Sequence, residues 1–242
     1  MKILAIDSSG MTASAAIVSE EAVLAEYNTD FKKTHSQTLL PMIDAMTRIL
    51  DLDLSSLDAV AVAKGPGSFT GLRIGSATAK GIAFALDRPI AEISALEAMA
   101  YALYPAQTLI VPIMDARRSQ VYTGIYRFRG EELECVSVDE AMAMEELIAR
   151  LNDIGEELIF TGDGIPVFAE MIKEKLKVPY KFAKAFQDRQ RAAVLGILAI
   201  EYAKQGRLVS ADEHVPVYLR MSQAERERAE RLKDSDKRDA DR

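Results

Sequence analysis

One order of elements occurs twice along this chain, and it limits the available folds more than any single motif does. Three strand-like stretches joined by short polar gaps are followed by a helix, a strand, a glycine turn and a second helix. The first copy covers residues 2–86 and the second residues 109–176. In the first, KILAIDSS (2–9), TASAAIV (12–18) and AVLAEYN (22–28) are linked so tightly that they must run as an antiparallel meander. In the second, LIVPIMD (109–115), VYTGIYRF (121–128) and LECVSV (133–138) repeat the scheme. Pro112 cannot donate to a ladder and is expected at an edge or a bulge. A helix near 141–151 and the strand ELIFT (157–161) then lead to Gly162-Asp163-Gly164 and a helix over 166–176. Each copy opens on a strand ending in aspartate, Asp7 or Asp115.

The first glycine turn is the densest signal. A strand at 59–63 enters Lys64-Gly65-Pro66-Gly67-Ser68-Phe69-Thr70-Gly71, and a helix of small residues follows over 72–86. Such a turn bends where most side chains would clash. It is either a structural elbow that sets the helix tightly against its neighbours, or a cradle whose amides at Ser68 to Gly71 meet an anion. Asp7 leaves two readings as well. With Ser8, Ser9 and Gly10 beside it, it either caps a turn or holds a hydrated magnesium. Gly75, Ala77, Ala79, Gly81, Ala83 and Ala85 in the second helix would let another helix or the sheet approach closely.

The first long helix falls within residues 34–50. Thr34 and Gln37 match a capping box, whereas Pro41 suits a start near Thr38. Leu39, Ile43, Met46 and Leu50 form one apolar stripe, and Met42, Ala45 and Ile49 widen it. That is more than one sheet can cover. The helix is either sunk in a thick core or shared between the sheet and a partner chain. Ser94 and Glu97 form a second capping box before a helix over 95–103, and another long helix occupies 187–205. Residues 206–221 are expected to pack back on the body, and the charge-rich stretch 222–242 cannot bury a core and reads as a disordered tail. The domains expected are therefore 1–104, a second and smaller one at 105–205, and this tail.

Composition removes several functions. The formal charge of -7 argues against an isolated nucleic-acid binder. One cysteine, Cys135, and two histidines, His35 and His214, supply neither a disulfide nor a metal site. No apolar run has the length of a membrane span, and residues 1–10 make a poor signal peptide, so a cytoplasmic location is expected. No histidine is placed to activate Ser68, and no general base faces a nucleophile, so no catalytic residue is nominated.

The duplicated unit resembles the actin-like ATPase and sugar-kinase superfamily. Within it, GPGSFTGLRIG (65–75) and AKGIA (79–83) are similar to the bacterial TsaB family, also called YeaZ. LAIDSS (4–9), HSQTLLP (35–41), DARRSQVY (115–122) and PVYLR (216–220) follow in the family's order. The resemblance implies a duplicated α/β actin-like (ribonuclease H-like) fold, with a helix-flanked mixed five-stranded sheet in each half. It also implies a non-catalytic scaffold in the formation of threonylcarbamoyladenosine beside the anticodon of tRNAs reading codons that begin with A. The implied partners are the related transferase TsaD in a heterodimer and the ATPase TsaE in a larger complex, with a homodimer when alone and tRNA met only through the complex. The partner's metal site takes two histidines one helical turn apart. Here His35 is followed four residues later by Leu39, so His35 is expected at a cap or an interface. The partner surface implied is His35, Leu39, Leu40, Ile43, Met46 and Leu50 on the first helix, with Arg73, Ala77, Ala79 and Lys80 on the second. The alternative is a small ATPase or kinase, with Asp7 and Asp115 holding magnesium, and with Ser8, Ser9 and the turns at Gly65 and Gly162 around the phosphates. Apart from that alternative, no cofactor is required. A metalloprotease would need ligands the chain lacks.

Overall fold

The computed structural model describes residues 1–31 and 34–220; the charged stretch expected as a disordered tail lies outside them. Its first sheet contains β1 (Lys2–Asp7), β2 (Ala13–Ser19), β3 (Val23–Thr29), β4 (Ala59–Gly65) and β5 (Ile90–Ser94), in the order β3-β2-β1-β4-β5. Its second contains β6 (Leu109–Asp115), β7 (Gln120–Arg129), β8 (Glu132–Ala143), β9 (Leu158–Thr161) and β10 (Tyr180–Phe182), in the order β10-β9-β6-β7-β8. Reversed, the second order is the first. In each sheet a meander of three antiparallel strands continues into two parallel ones. This is the doubled mixed α/β architecture expected of the actin-like superfamily.

The helices are α1 (His35–Ile49), α2 (Phe69–Leu86), α3 (Ala95–Tyr101), α4 (Met144–Ile154), α5 (Ile165–Lys175) and α6 (Ala192–Lys204). α1 and α2 cover the outer face of the first sheet, with Leu39, Ile43, Met46, Ala79 and Ala83 packed on Leu4, Ile6, Val60 and Val62. α4 and α5, shorter than their counterparts, cover the outer face of the second. α3 and α6 lie between the sheets, where Ala5, Val18 and Ile93 share one core with Ile110, Tyr126 and Phe128. α6 packs mainly on the first sheet and α3 on the second as well as the first, so each half is closed partly by a helix from the other. α6 is apolar on nearly every side from Ala192 to Ile200, where it is buried or half-buried throughout, and carries exposed Glu201 and Lys204 at its end. Gly196 seats it, since a Cβ there would lie 2.7 Å from a Val18 methyl.

Several boundaries differ from expectation. α1 begins at His35 despite Pro41, and Thr34 makes no side-chain cap; its carbonyl accepts from Gln37 N–H at 2.9 Å instead. Pro41 lies inside the helix on its exposed side, where the Gln37 carbonyl it leaves without a donor can be met by solvent. Pro112 lies in β6, a central strand rather than an edge. It is accommodated where the pairing of β6 with β7 is interrupted between Ile110 and Ile113. β8 continues to Ala143 and displaces the start of α4 to Met144. Ser94 does cap α3, accepting from Leu96 and Glu97 amides at 3.2 Å. Glu97 does not close the box; it accepts from the Tyr202 hydroxyl at 2.7 Å.

Candidate functional site

The glycine turn closes on the β1–β2 turn. A Cβ at Gly67 would lie 2.3 Å from Ser9 O, and one at Gly71 would lie 2.1 Å from Ser8 O. Ser68 N–H donates to Ser9 O at 2.7 Å, Ser68 Oγ caps α2 by accepting from Gly71 N–H at 3.3 Å, and Ser8 Oγ donates to Gly71 O at 2.8 Å. The amides at Ser68 and Gly71 are therefore occupied, and the Ser9 and Ser8 carbonyl oxygens press against Gly67 and Gly71. The elbow reading fits this geometry, and of the four amides of the cradle reading, Ser68, Phe69, Thr70 and Gly71, the first and last are taken. Gly65, with φ of 123°, also has no room for a side chain: a Cβ would meet Val217 O at 2.4 Å. Pro66 is buried beside it, and Thr70 is exposed.

Val217 belongs to a strap, residues 206–220, that crosses α2. Val209 bridges Ile90, and Val217 N–H donates to Lys64 O at 2.7 Å. Tyr218 packs on Phe69 with ring centroids 4.6 Å apart. The strap engages two residues assigned to the partner surface. Lys80 Nζ donates to Asp212 O and His214 O at 3.2 and 2.9 Å, and Arg73 Nε donates to Tyr218 Oη at 3.3 Å. At its centre His214, 1% exposed, joins Glu92 Oε1 through Nδ1 at 2.6 Å and Ser76 Oγ through Nε2 at 2.8 Å. The carboxylate can only accept, so Nδ1 carries a hydrogen. Nothing in the local sequence around His214 announces this role, because its partners are more than 120 residues away.

The face formed by α1 and α2 separates the remaining partner-surface residues. Leu39, Ile43, Met46 and Ala79 are buried under the chain's own helices and sheet, so they cannot lend surface to another protein; this corrects their assignment. Leu50 is half-buried in the same core. Exposed instead are Leu40 at 56%, Ile49 at 71% and Phe84 at 75%. Ala77, Gly81 and Ala85, at successive helical turns, form a small-residue stripe on the solvent side of α2. A Cβ at Gly81 would meet nothing within 4 Å, so no contact among the described residues explains that glycine. Phe84 escaped the sequence reading because its exposure depends on the helix's rotation.

At the cleft between the halves, the two strand-end aspartates behave alike. Asp7 Oδ1 accepts from Ser9 N–H at 2.8 Å, and Asp115 Oδ1 accepts from Arg117 N–H at 2.8 Å. Each is a turn cap. Asp7 also accepts from Ser9 Oγ at 2.7 Å, while its Oδ2 is buried with no hydrogen-bond partner. Burial pushes its carboxyl up to about 6, against the lowering effect of the Ser9 hydrogen bonds and His35. His35 Nε2–H donates to Gly10 O at 3.0 Å, which ties the start of α1 to this turn and leaves Nδ1 buried without a partner. Gln190, absent from the sequence reading, is buried against Gly10 with neither amide atom bonded. Asp163 accepts from Asp115 N–H at 3.3 Å, and burial raises its carboxyl too. Asp7 Oδ2 is the acceptor left over for a hydrated cation, and the Ser8 and Ser9 carbonyls press on the glycine turn beside it. Among the described residues no group of three or more His, Cys, Asp or Glu side chains is placed to hold a metal ion, and no helix is long and apolar enough to cross a membrane.

Known proteins are similar over nearly the whole length. The family described as "TsaD: tRNA N6-adenosine threonylcarbamoyltransferase" matches residues 23–228. A Bacillus subtilis protein named tRNA threonylcarbamoyladenosine biosynthesis protein TsaB is 37% identical over 227 residues, 93% of this chain and 96% of its own. The Escherichia coli protein of the same name is 29% identical over 231 residues, 91% of this chain and 95% of its own. Among solved structures, YeaZ from Pseudomonas aeruginosa superposes with a TM-score of 0.78 at 28% identity, covering 90% of this chain and 99% of that one.

Proposed function

Because the chain belongs to the TsaB (YeaZ) family, and so takes part in the biosynthesis of threonylcarbamoyladenosine in tRNA, we infer that it serves there as a non-catalytic scaffold. Its partner is the TsaD-type transferase, and the contact is the exposed face of α1 and α2. Gly81 carries this reading. A glycine in the solvent-facing interior of an 18-residue helix costs roughly 1 kcal/mol relative to alanine, and no contact among the described residues offsets that. Close approach of a partner helix along Ala77, Gly81 and Ala85 would, with Phe84, Leu40 and Ile49 as the apolar flanks.

TsaE joins the larger assembly, and the same face pairs two copies when TsaD is absent. The test is co-purification with the transferase. Gly81→Arg is expected to abolish it while leaving the circular dichroism spectrum unchanged; retained co-purification would remove this face from the interface.

One observation favours a second reading, a cleft that binds magnesium and ATP: the buried, unpartnered Asp7 Oδ2. Calorimetric titration of the isolated chain with ATP and magnesium decides it. Saturable heat lost in Asp7→Ala supports the second reading, and a flat trace supports the scaffold.

A further inference from the structure

The two strand-end turns share a cap but not a fate. In the first half Ser8 and Ser9 are buried under the glycine elbow. In the second, Arg117, Arg118 and Ser119 are exposed. These three are successive non-glycine residues with φ of 65°, 56° and 57°. L side chains rarely adopt that conformation, and a run of three persists only where the surroundings hold it. They do. Ala116 N–H donates to Gln120 O at 2.9 Å, Gln120 N–H to Arg117 O at 3.2 Å and Met144 N–H to Ser119 O at 3.1 Å. The strap adds Arg220, whose guanidinium donates to Ala116 O and, at 3.4 Å, to Arg117 O.

Three arginines from two distant segments thus gather on one rim of a chain whose formal charge is -7. Arg117 is held by Asp115 at 3.3 Å with its side chain 83% exposed, and Arg118 has no ion-pair partner among the described residues. The turn presents no exposed apolar side chain, since Ala116 is buried and Ser119 is polar, so it offers a protein partner little to bury. Phosphate oxygens are met by charged hydrogen-bond donors and need no apolar burial.

We propose that the strained turn at Arg117 and Arg118 contacts the phosphate backbone of the tRNA bound to the assembled complex. This rests on the scaffold reading and adds the substrate contact to it. The rim is too small to bind RNA alone against the chain's net negative charge, and it acts once the transferase supplies the rest of the surface.

The experiment measures tRNA affinity over a salt series for the complex with the TsaD-type transferase. It compares the wild type, the double variant Arg117→Gln/Arg118→Gln and the charge-keeping Arg117→Lys/Arg118→Lys. The glutamine variant should reduce the slope of log affinity against log salt by about two and weaken binding several-fold at low salt. The lysine variant should keep the slope, and both should co-purify with the transferase. An unchanged slope in an intact glutamine complex overturns the proposal. So does loss of co-purification, which would assign the rim to a protein contact. If the wild-type chain itself neither co-purified nor promoted modification, the scaffold reading would fail first, so the two failures are distinct.

Discussion

Replacing Asp7 with asparagine should make the protein more stable, and the size of the gain follows from the site. The carboxyl is 1% exposed, and burial raises it from an ordinary 3.8 to about 6. A group raised in the folded state favours folding while protonated. That contribution is complete below about pH 3.8 and is lost as pH rises through about 6. At pH 7 the ionised carboxylate therefore costs the folded chain roughly 3 kcal/mol, at about 1.4 kcal/mol per tenfold change in binding. Asparagine keeps the Oδ1 acceptor for Ser9 N–H and Oγ–H and removes the charge from the unpartnered Oδ2 position. An amide left unpaired there would return about 1 kcal/mol of the gain. Urea denaturation should thus find Asp7→Asn more stable by about 2 kcal/mol at pH 7, with the advantage vanishing near pH 4. A neutral or destabilising effect at pH 7 that is independent of pH would refute the reasoning. It would mean that the charge is compensated in the folded protein.

Three further outcomes follow from the packing. Gly81→Ala should stabilise the isolated chain by about 1 kcal/mol in thermal or urea melts while weakening transferase binding, a split that a purely structural glycine would not show. His214→Ala leaves Ser76 and Glu92 without their shared partner in a buried site. It should cost about 3 kcal/mol and expose residues 206–220 to limited proteolysis, with no change expected if the strap is held elsewhere. Ile43→Glu and Ala79→Arg place charge in the core between helices and sheet, so both should yield insoluble or unfolded protein by circular dichroism; a soluble, folded Ala79→Arg would contradict the placement of α2.

The doubled topology was legible because it rests on short-range patterns. Tight polar gaps force meanders, and a strand running into a glycine turn forces a crossover. The purpose of the turn was half legible. Its glycines required close approach, but only the fold shows that Ser8 and Ser9 carbonyls occupy the space. The α1–α2 face was misassigned at Leu39, Ile43, Met46 and Ala79 because an apolar stripe looks the same whether the sheet or a partner covers it. Pro112 was half legible: its missing donor foretold a break in a ladder, which falls between Ile110 and Ile113, but not that β6 is a central strand. His214 and Gln190 were invisible for a different reason. Each sits in an irregular segment, and each is buried by residues remote in sequence.

The central claim is that this chain works through its α1–α2 face and not through chemistry of its own. Reconstitution of threonylcarbamoyladenosine formation with the TsaD-type transferase, tRNA and the remaining components tests it most directly. The reaction is run without this chain, with the wild type, with Asp7→Ala and with Gly81→Arg. The account predicts that modification depends on the wild-type chain, survives Asp7→Ala and is lost with the folded Gly81→Arg. Full modification without the chain, or with Gly81→Arg, would contradict it.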